Sequence, residues 1–424
     1  MPSPDLATTE TGSDRILALD FIRGVAVMGI LLMNIVGFAM PEAAYSNPHA
    51  YGGHSGIDFA VWLANYILID GKMRGLFSLL FGASLLLVTD RAEAKGKNPA
   101  AVHYARMAWL FVFGMLHLVL LWWGDILNHY ALIGAVAFLF RKLPPHRLIA
   151  LATILLIAEF AYVAIIGMQI ADSEIAVRTG NASAETARMY IANRANLGIP
   201  SIPEISHDLV VHRGSYATVF ADRLPAALKA PGQAFIFLGL ETLAYMLLGM
   251  AALKSDLLTG AWSGRAYRWG AVIGLCGGAI AYALIATIPV HRNFDTASVA
   301  ASDLVLSEPF RPLMILGWAC LIILTIRPGS PITERVAAVG RMAFTNYIAS
   351  TIICTTLFYG YGFGLYGRLS RAELYPIVAA IWVLMLAWSG VWLTRFRYGP
   401  LEWLWRSLAR GQWQRMRFSA TASQ

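Results

Sequence analysis

Residues 110–127 read LFVFGMLHLVLLWWGDIL, an apolar stretch that contains one histidine, His117, and ends near one carboxylate, Asp125. A helix of about 20 apolar residues crosses a hydrocarbon core that is about 30 Å thick. An ionisable side chain inside that core costs roughly 2.5 to 3.5 kcal/mol on insertion scales, so it is a candidate functional group. The stretch therefore predicts a membrane helix with a candidate site residue inside it.

The whole chain has the composition of a membrane protein. Of its 424 residues, 58% are hydrophobic and 14% are charged, whereas soluble domains contain about 25% charged residues. We therefore predict an all-α, polytopic integral membrane protein with about ten transmembrane helices. The apolar runs that are long enough to span lie near residues 17–40, 72–90, 104–123, 125–141, 147–170, 232–253, 266–288, 310–326, 341–361 and 374–394.

The same pattern divides the chain into five parts. These are a disordered N-terminus (1–14), an N-terminal bundle of five spans with an interfacial helix at 57–69 (15–170), an external segment (171–231), a C-terminal bundle of five spans (232–394) and a basic interfacial tail on the cytoplasmic side (395–424). The external segment is expected to hold two amphipathic helices, at 182–197 and 206–224, that roof the bundle. In the tail, Pro400 suits a first helical turn.

The positive charges predict the orientation. Lys and Arg concentrate in alternate short connections, which places both termini in the cytoplasm. The connection 41–70 contains neither Lys nor Arg and is expected outside, as is the turn at 122–125. Trp122 and Trp123 in that turn are expected to belong to the aromatic belt at the membrane surface. The net charge of +8 is then a topology and lipid signal, and no nucleic-acid partner is expected.

His117 and Asp125 form the first candidate site. Gly124 allows a turn that could bring the carboxylate back to the imidazole, and an imidazole oriented by a carboxylate is what a general base requires. The alternative is that His117 bonds a backbone carbonyl and Asp125 only caps the next helix.

Arg23 and Asn34 form a second pair. They are eleven residues apart in the first span, so on a helix they point within about 20° of each other and lie about 16 Å apart along its axis. The alternatives are that Arg23 reaches lipid phosphate and that Asn34 only bonds a neighbouring helix.

Further polar side chains are predicted within the bundle, with Glu241 near the middle of the membrane. Glu159, Glu241 and Asn346 are expected to be buried, with Lys72 and Arg74 at the outer mouth of the second span. Of the external histidines (His49, His54, His207, His212), His212 is the one whose segment could fold over the mouth. The residues predicted to contact a substrate are His212, Glu241, Lys72, Arg74 and Asn346. No spacing suits metal ligands, so no metal is expected.

Four strings carry a resemblance to a known family. LDFIRGVAVMGILLMNI (19–35), GDIL (124–127), GRMAFTNY (340–347) and GPLEWLWR (399–406) resemble the bacterial YeiB-like family, whose C-terminal part is a domain of unknown function. That family in turn looks like a member of the transmembrane acyltransferase superfamily, which includes heparan-α-glucosaminide N-acetyltransferase. The resemblance implies a ten-helix unit in the bacterial cytoplasmic (inner) membrane. It also implies that cytosolic acyl-CoA, such as acetyl-CoA, is the co-substrate.

The chain departs from that superfamily at one position. The sugar-modifying branch has an arginine and, eleven residues later, a histidine in its first span, where this chain has Arg23 and Asn34. The lysosomal branch places its histidine in the external stretch after that span, where His49 and His54 fall. The identity of the base therefore rests on chemistry, and His117 is the first choice.

We accordingly expect an enzyme that moves an acyl group, with acetyl as the expected chain, from cytosolic acyl-CoA to an acceptor hydroxyl or amine at the outer side. Arg23 and Arg106 would neutralise phosphate, and Asn34 would donate to the oxyanion. The expected partners are membrane lipids and a small-molecule, glycan or lipid acceptor, and homodimerisation is left open. The alternatives are a proton-coupled transporter that uses Glu241, Glu159 and His117, or a lipid-binding scaffold.

Overall fold

The structure is a computed structural model that describes residues 17–418, and within this range its regular elements are helices, with no β-strand. Its helices are α1 (Leu17–Ala39), α2 (Gly56–Leu68), α3 (Lys72–Ala94), α4 (Pro99–Leu120), α5 (Leu127–Ala137), α6 (Pro145–Arg178), α7 (Ala184–Leu197), α8 (Ile202–His212), α9 (Tyr216–Lys254), α10 (Gly264–Val272), α11 (Gly278–His291), α12 (Thr296–Ala300), α13 (Arg311–Thr325), α14 (Pro331–Arg341), α15 (Ala343–Phe358), α16 (Leu374–Arg395) and α17 (Pro400–Arg410). Two π-helical segments, Ile273–Gly277 and Ala301–Leu306, join α10 to α11 and extend α12.

The fold class is confirmed: this is an all-α, multi-pass membrane protein. Among residues 17–418, eight helical stretches are long and apolar enough to cross a membrane. The bent pair α14 and α15, which meet at 81°, raises the number to nine. The remaining predicted span, near 125–141, falls on Leu127–Phe140, a shorter apolar helix. The helix at α2 is also confirmed, whereas its interfacial position and the orientation of the bundle stay predictions.

The segment between the two predicted bundles differs from its predicted form. The short helix α7 lies where one was expected, but the second predicted helix at 206–224 is divided, because α8 ends at His212 and α9 begins at Tyr216. Helix α9 then continues through Pro225 and Pro231 into the sixth span. The tail helix α17 begins at Pro400 as predicted. The predicted disordered N-terminus (1–14) and the last six residues of the tail lie outside the described residues.

Backbone contacts at glycines hold the centre of the bundle together. A Cβ atom at Gly249 of α9 would lie 1.8 Å from the carbonyl oxygen of Leu79, and one at Gly82 of α3 would lie 1.9 Å from that of Met246. Small residues allow such close approach between membrane helices, where van der Waals packing drives association. Helices α3 and α9 therefore form a tight central pair, and both contribute to the site described below.

The prediction for Trp122 is wrong. Its side chain is buried, its ring stacks on Phe38 with 3.9 Å between centroids, and it belongs to an apolar cluster with α1 and α16. The turn that contains it folds back into the bundle, so this ring packs as core while Trp123 is only partly buried.

Candidate functional site

Two cavities of opposite charge lie within the bundle. The arginine cavity encloses about 1630 Å³ and the acid cavity about 960 Å³, in both cases counting space open to solvent. The arginine cavity is lined by six arginines and two carboxylates, which are Arg23, Arg91, Arg106, Arg341, Arg397 and Arg406 with Asp20 and Glu402. The acid cavity is lined by five carboxylates and two arginines, which are Asp70, Glu159, Glu241, Asp303 and Glu308 with Arg74 and Arg311.

The two cavities are stacked along the same helices. On α1 the arginine cavity is lined by residues from Leu19 to Ile30, and the acid cavity by residues from Gly29 to Asn34. Helix α3 runs the other way and contributes first to the acid cavity and then to the arginine cavity. Ile30 and Ile126 line both cavities. The cavities therefore meet at these two apolar side chains.

Arg23 and Arg106, both predicted to bind an anionic cofactor, lie in the wall of the arginine cavity. The Arg23 guanidinium donates to Asp20 at 2.9 Å and to the Ser84 hydroxyl at 2.8 Å. The Arg106 guanidinium lies 4.0 Å from the ring centroid of Trp405, in a cation–π arrangement. Both side chains are thus held in place by neighbours while facing a cavity with an excess of positive charge.

The tail helix α17 completes this wall. The Trp405 indole nitrogen donates to the Arg106 carbonyl at 2.9 Å, which ties α17 to α4. The buried Glu402 carboxylate accepts from the backbone nitrogens of Phe344 and Thr345 at 2.8 and 3.1 Å. These are first-turn nitrogens of α15 that have no partner within their own helix. Helix α17 therefore caps α15 and supplies residues to the arginine cavity.

An ion network crosses the acid cavity around Glu241. Its two carboxylate oxygens accept from Arg74 and from Arg311, each at 2.6 Å. Arg311 also donates to Glu308 at 2.7 Å. A buried carboxylate needs such charged, hydrogen-bonded partners. The predicted pair Arg74 and Glu241 is thus brought together in the cavity, and Arg311 joins it from the start of α13.

Other carboxylates of this cavity keep oxygen atoms without a partner. Oε2 of Glu159 and Oε1 of Glu308 accept no hydrogen bond from residues 17–418, although the two side chains are only 2% and 4% exposed. Asn34 lines the same cavity. These atoms are available to a ligand.

Tyr45 adds a hydroxyl to the acid cavity from the loop after α1. Burial, reinforced by the nearby carboxylates Asp70 and Asp303, holds the pKa of Tyr45 well above its ordinary value of 10. The phenol therefore stays neutral and serves as a hydrogen-bond donor. Asp303 lies in the π-helical segment after α12, and π-bulges are frequent at functional sites.

The predicted contact between His117 and Asp125 is confirmed. Nδ1 of the imidazole lies 2.8 Å from Oδ1 of Asp125, and Nε2 lies 3.0 Å from the Thr351 hydroxyl. The backbone and side-chain nitrogens of Asn128 donate to Oδ2 of Asp125 at 2.8 and 2.6 Å. Asp125 therefore both orients the imidazole and caps α5. The cap belongs to the alternative reading, but the imidazole bonds Asp125 and Thr351 and not a backbone carbonyl as that reading expected.

His117 lies behind the cavity walls. It is 2% exposed, and among the described residues it is not one of those that line either cavity. Two neighbours of the pair do line the arginine cavity: Ile126, which follows Asp125, and Tyr347, whose ring centroid is 5.1 Å from that of His117. The imidazole thus contacts one residue of the arginine-cavity wall, Tyr347, without lining either cavity itself.

Two other predicted residues, Lys72 and Asn346, lie apart from both cavities. The Lys72 ammonium donates to the Tyr66 carbonyl at 2.6 Å and lies 3.2 Å from the Tyr282 ring centroid. The Asn346 amide donates to the Val339 carbonyl at 3.1 Å and to Ser389 at 3.0 Å. Such satisfied contacts are those of structural residues.

His212 ends α8 at the same side of the bundle as the loop after α1. Its Nδ1 lies 3.0 Å from Oδ1 of Asp208, and its ring stacks on Tyr366 with 4.4 Å between centroids. His49 and His54, both predicted to be external, also contact each other, with ring centroids 4.5 Å apart. Within residues 17–418, no group of three or more His, Cys, Asp or Glu side chains could hold a metal ion.

Comparison with known proteins places the chain in a family. It is 33% identical over 406 residues to the uncharacterized protein YeiB of Escherichia coli (strain K12), with 93% of this chain and 96% of that protein covered. This chain belongs to the YeiB-like family. A second YeiB-like relative, the uncharacterized protein YxaH of Bacillus subtilis (strain 168), is 31% identical over 413 residues, which covers 95% of this chain and 96% of YxaH.

The C-terminal part of this YeiB-like protein, residues 252–412, matches the family model described as a protein of unknown function (DUF418). That region includes α13, α15 and α17, which carry Arg311, Tyr347 and Trp405. No solved structure matches the chain.

Proposed function

We propose that this YeiB-like protein is a membrane-embedded acyltransferase of the bacterial cytoplasmic (inner) membrane. In this proposal the arginine cavity holds acyl-CoA and the acid cavity holds the acceptor. The observation that carries the proposal is the meeting of two oppositely charged cavities at Ile30 and Ile126. A transferase whose two substrates come from opposite sides of a membrane needs such a junction.

The charge of the arginine cavity supports a phosphate-bearing donor. Guanidinium groups bind phosphate strongly because they donate paired, charge-assisted hydrogen bonds. Arg23 and Arg106 are held by their neighbours, and further arginines come from α14 and the tail. The excess of positive charge on this side also agrees with the positive-inside rule, so we assign the arginine cavity to the cytoplasmic side.

The chemistry then takes place where the cavities meet. The acceptor nucleophile attacks the thioester carbon, the C–S bond breaks, and CoA leaves as a thiol with one proton. In the acid cavity, Asn34 and the neutral hydroxyl of Tyr45 are available to donate hydrogen bonds to the oxyanion. His117 stays our predicted general base, with Asp125 as its orienting partner. Direct proton abstraction by His117 requires Tyr347 or Ile126 to turn aside.

The first experiment is binding of acetyl-CoA to the purified full-length protein in detergent. A ligand that binds only the native state raises its stability by about 2.7 kcal/mol at 100 times the dissociation constant, so the melting temperature should rise with acetyl-CoA. Phosphate at the same ionic strength should have a smaller effect. No stabilisation by acetyl-CoA or by longer acyl-CoA would refute the proposal.

The second candidate is a proton-coupled transporter. The stacked cavities and the unpartnered oxygen of Glu159 favour it, because buried carboxylates in membranes often carry protons. Two observations count against a transporter. His117 lines neither cavity, so it has no position from which to relay protons, and the arginines of the arginine cavity would have no ligand. Transport predicts solute flux into proteoliposomes that collapses with the pH gradient and needs no acyl-CoA.

A further inference from the structure

We infer that the acid cavity binds its ligand as an organic cation, through an ammonium group held by Glu159 and Glu308. The inference deepens the proposed function, and rests on it only in naming this ligand as the acyl acceptor. It selects an amine over a hydroxyl as the accepting group. Binding of a cation to this cavity can be measured whether or not the protein transfers acyl groups.

The first argument is the balance of charge in the cavity. Its two arginines are both bound to Glu241, and Arg311 also pairs with Glu308. The remaining carboxylates of the wall are Asp70, Glu159 and Asp303. The cavity therefore has more carboxylates than its own guanidinium groups can neutralise, and a positively charged ligand complements it.

The second argument is the position of Glu159 on its helix. Most of α6 faces away from the bundle, with large exposed side chains such as Ile157 and Phe160 on either side of Glu159. Glu159 nevertheless turns into the acid cavity together with Val163, one helical turn away. A carboxyl group at this depth without a protein partner is a functional-site candidate, since burial without a hydrogen bond is costly.

The third argument concerns the size of the cation. The residues 17–418 contain no group of three His, Cys, Asp or Glu side chains that could hold a metal ion. The carboxylates of the wall therefore form no metal-ligand set among these residues. An organic amine suits the cavity, because its ammonium donates up to three hydrogen bonds while its body fills the remaining space.

The reaction balances with an amine acceptor. The ammonium gives one proton to the Glu159 carboxylate, and the freed nitrogen lone pair forms a C–N bond with the thioester carbon. The C–S bond breaks and its electrons leave with sulfur. The second nitrogen proton passes through His117, the general base of the proposed function, to that sulfur, so the products are an amide, a CoA thiol and a protonated Glu159.

The experiment compares charged and neutral probes of the same shape. The full-length protein in detergent is titrated with 1,4-diaminobutane dihydrochloride, with 1,4-butanediol, and with sodium chloride at matched ionic strength. Calorimetry and the melting temperature report binding. We expect the diamine to bind and to raise the melting temperature, and the diol and sodium chloride to do neither. Equal binding of the diol, or equal stabilisation by sodium chloride, would overturn the inference.

Matched variants test the role of Glu159. Glu159→Gln keeps the shape and removes the charge, and we expect it to weaken diamine binding about tenfold or more, which corresponds to ~1.4 kcal/mol. Asp172→Asn removes an exposed charge from the same helix and should leave binding unchanged. If Glu159→Gln fails to fold, Glu308→Gln is the second variant. Wild-type affinity in a folded Glu159 or Glu308 variant would contradict the inference.

Acetyl-CoA binding, measured on the same preparation, separates the two proposals. Diamine binding without acetyl-CoA binding would refute the acyltransferase and leave the cation site standing. Acetyl-CoA binding without diamine binding would refute the cation site and leave the acyltransferase with a hydroxyl acceptor.

Discussion

Ile30 of α1 and Ile126, the residue before α5, each line both cavities, so these two side chains mark the boundary between an arginine-rich and a carboxylate-rich space. Any group that passes from one cavity to the other must pass them. Their apolar character also keeps the opposite charges of the two walls from neutralising each other directly.

The boundary gives the first prediction. Ile30→Trp fills the junction, so we expect acyl transfer to fall at least about tenfold while stabilisation by acetyl-CoA persists, because the donor contacts lie elsewhere. Overpacking a core costs about 1–3 kcal/mol, so size-exclusion chromatography must show a folded protein. The control is Ile157→Trp, at a position of α6 that is 63% exposed. Undiminished transfer by a folded Ile30→Trp variant would show that the group does not cross here.

The second prediction concerns Arg106, whose guanidinium lies over Trp405 in the arginine cavity. We expect Arg106→Gln to weaken acetyl-CoA binding about tenfold, or ~1.4 kcal/mol, and to reduce the dependence of binding on salt, because one screened charge pair is lost. Arg188→Gln removes an exposed arginine of α7 as a matched control. Calorimetry at two ionic strengths measures both effects, and equal affinity in the two variants would exclude Arg106 from the donor site.

The third prediction concerns His117. As a general base it should contribute about 100-fold or more to the rate, so His117→Ala is expected to abolish acyl transfer while the protein still folds, inserts and binds acetyl-CoA. The variant also leaves Asp125 without its imidazole partner, which lowers the melting temperature because an unsatisfied buried group costs about 1–3 kcal/mol. Transfer that falls only in proportion to the folded fraction would assign His117 a structural role.

The fourth prediction uses the neutral phenol of Tyr45. Because the pKa of Tyr45 is raised well above 10 by burial, its hydroxyl keeps its proton at every pH at which the protein can be assayed. We expect Tyr45→Phe to lower acyl transfer about 100-fold, which is the usual effect of losing one oxyanion donor, by the same factor at pH 6 and pH 9. A ratio that changes across this range would show that the phenol titrates.

The fifth prediction tests the central helix pair. A Cβ atom at Gly249 would lie 1.8 Å from the Leu79 carbonyl oxygen, whereas one at Gly232 of the same helix would meet nothing within 4 Å. We expect Gly249→Ala to lower the free energy of unfolding by about 1–3 kcal/mol or more, because α3 and α9 must separate. Gly232→Ala should be neutral or raise it by up to about 1 kcal/mol through helix propensity. Equal melting temperatures would contradict the packing.

Much of the fold could be predicted from local sequence, since apolar runs report spans directly. The contact between His117 and Asp125 was also predictable locally, because the two residues are close in sequence and Gly124 allows a turn between them. The face shared by Arg23 and Asn34 follows from helical periodicity, and the structure divides the pair between the two cavities.

The rest of the site depends on contacts between distant segments. Arg311, Glu308 and Asp303 join Glu241 and Arg74 only because α13 packs beside α3 and α9. Arg397, Arg406 and Trp405 belong to a tail predicted to lie on the membrane surface, and their place in a cavity follows from contacts with α4 and α15. The available signal was Glu402 among the tryptophans of GPLEWLWR. A helix that binds only lipid does not need a buried carboxylate.

The contacts of α17 also have a consequence for how the protein is made. Within residues 17–418, every membrane-spanning helix precedes α17, so a ribosome can deliver these helices to the membrane before the arginine cavity has its last wall. A chain that stops short of Pro400 would be inserted but would lack Glu402 to cap α15 and Trp405 to hold Arg106. Completion of the cavity is thus tied to the synthesis of α17, and only a chain that includes this helix acquires it.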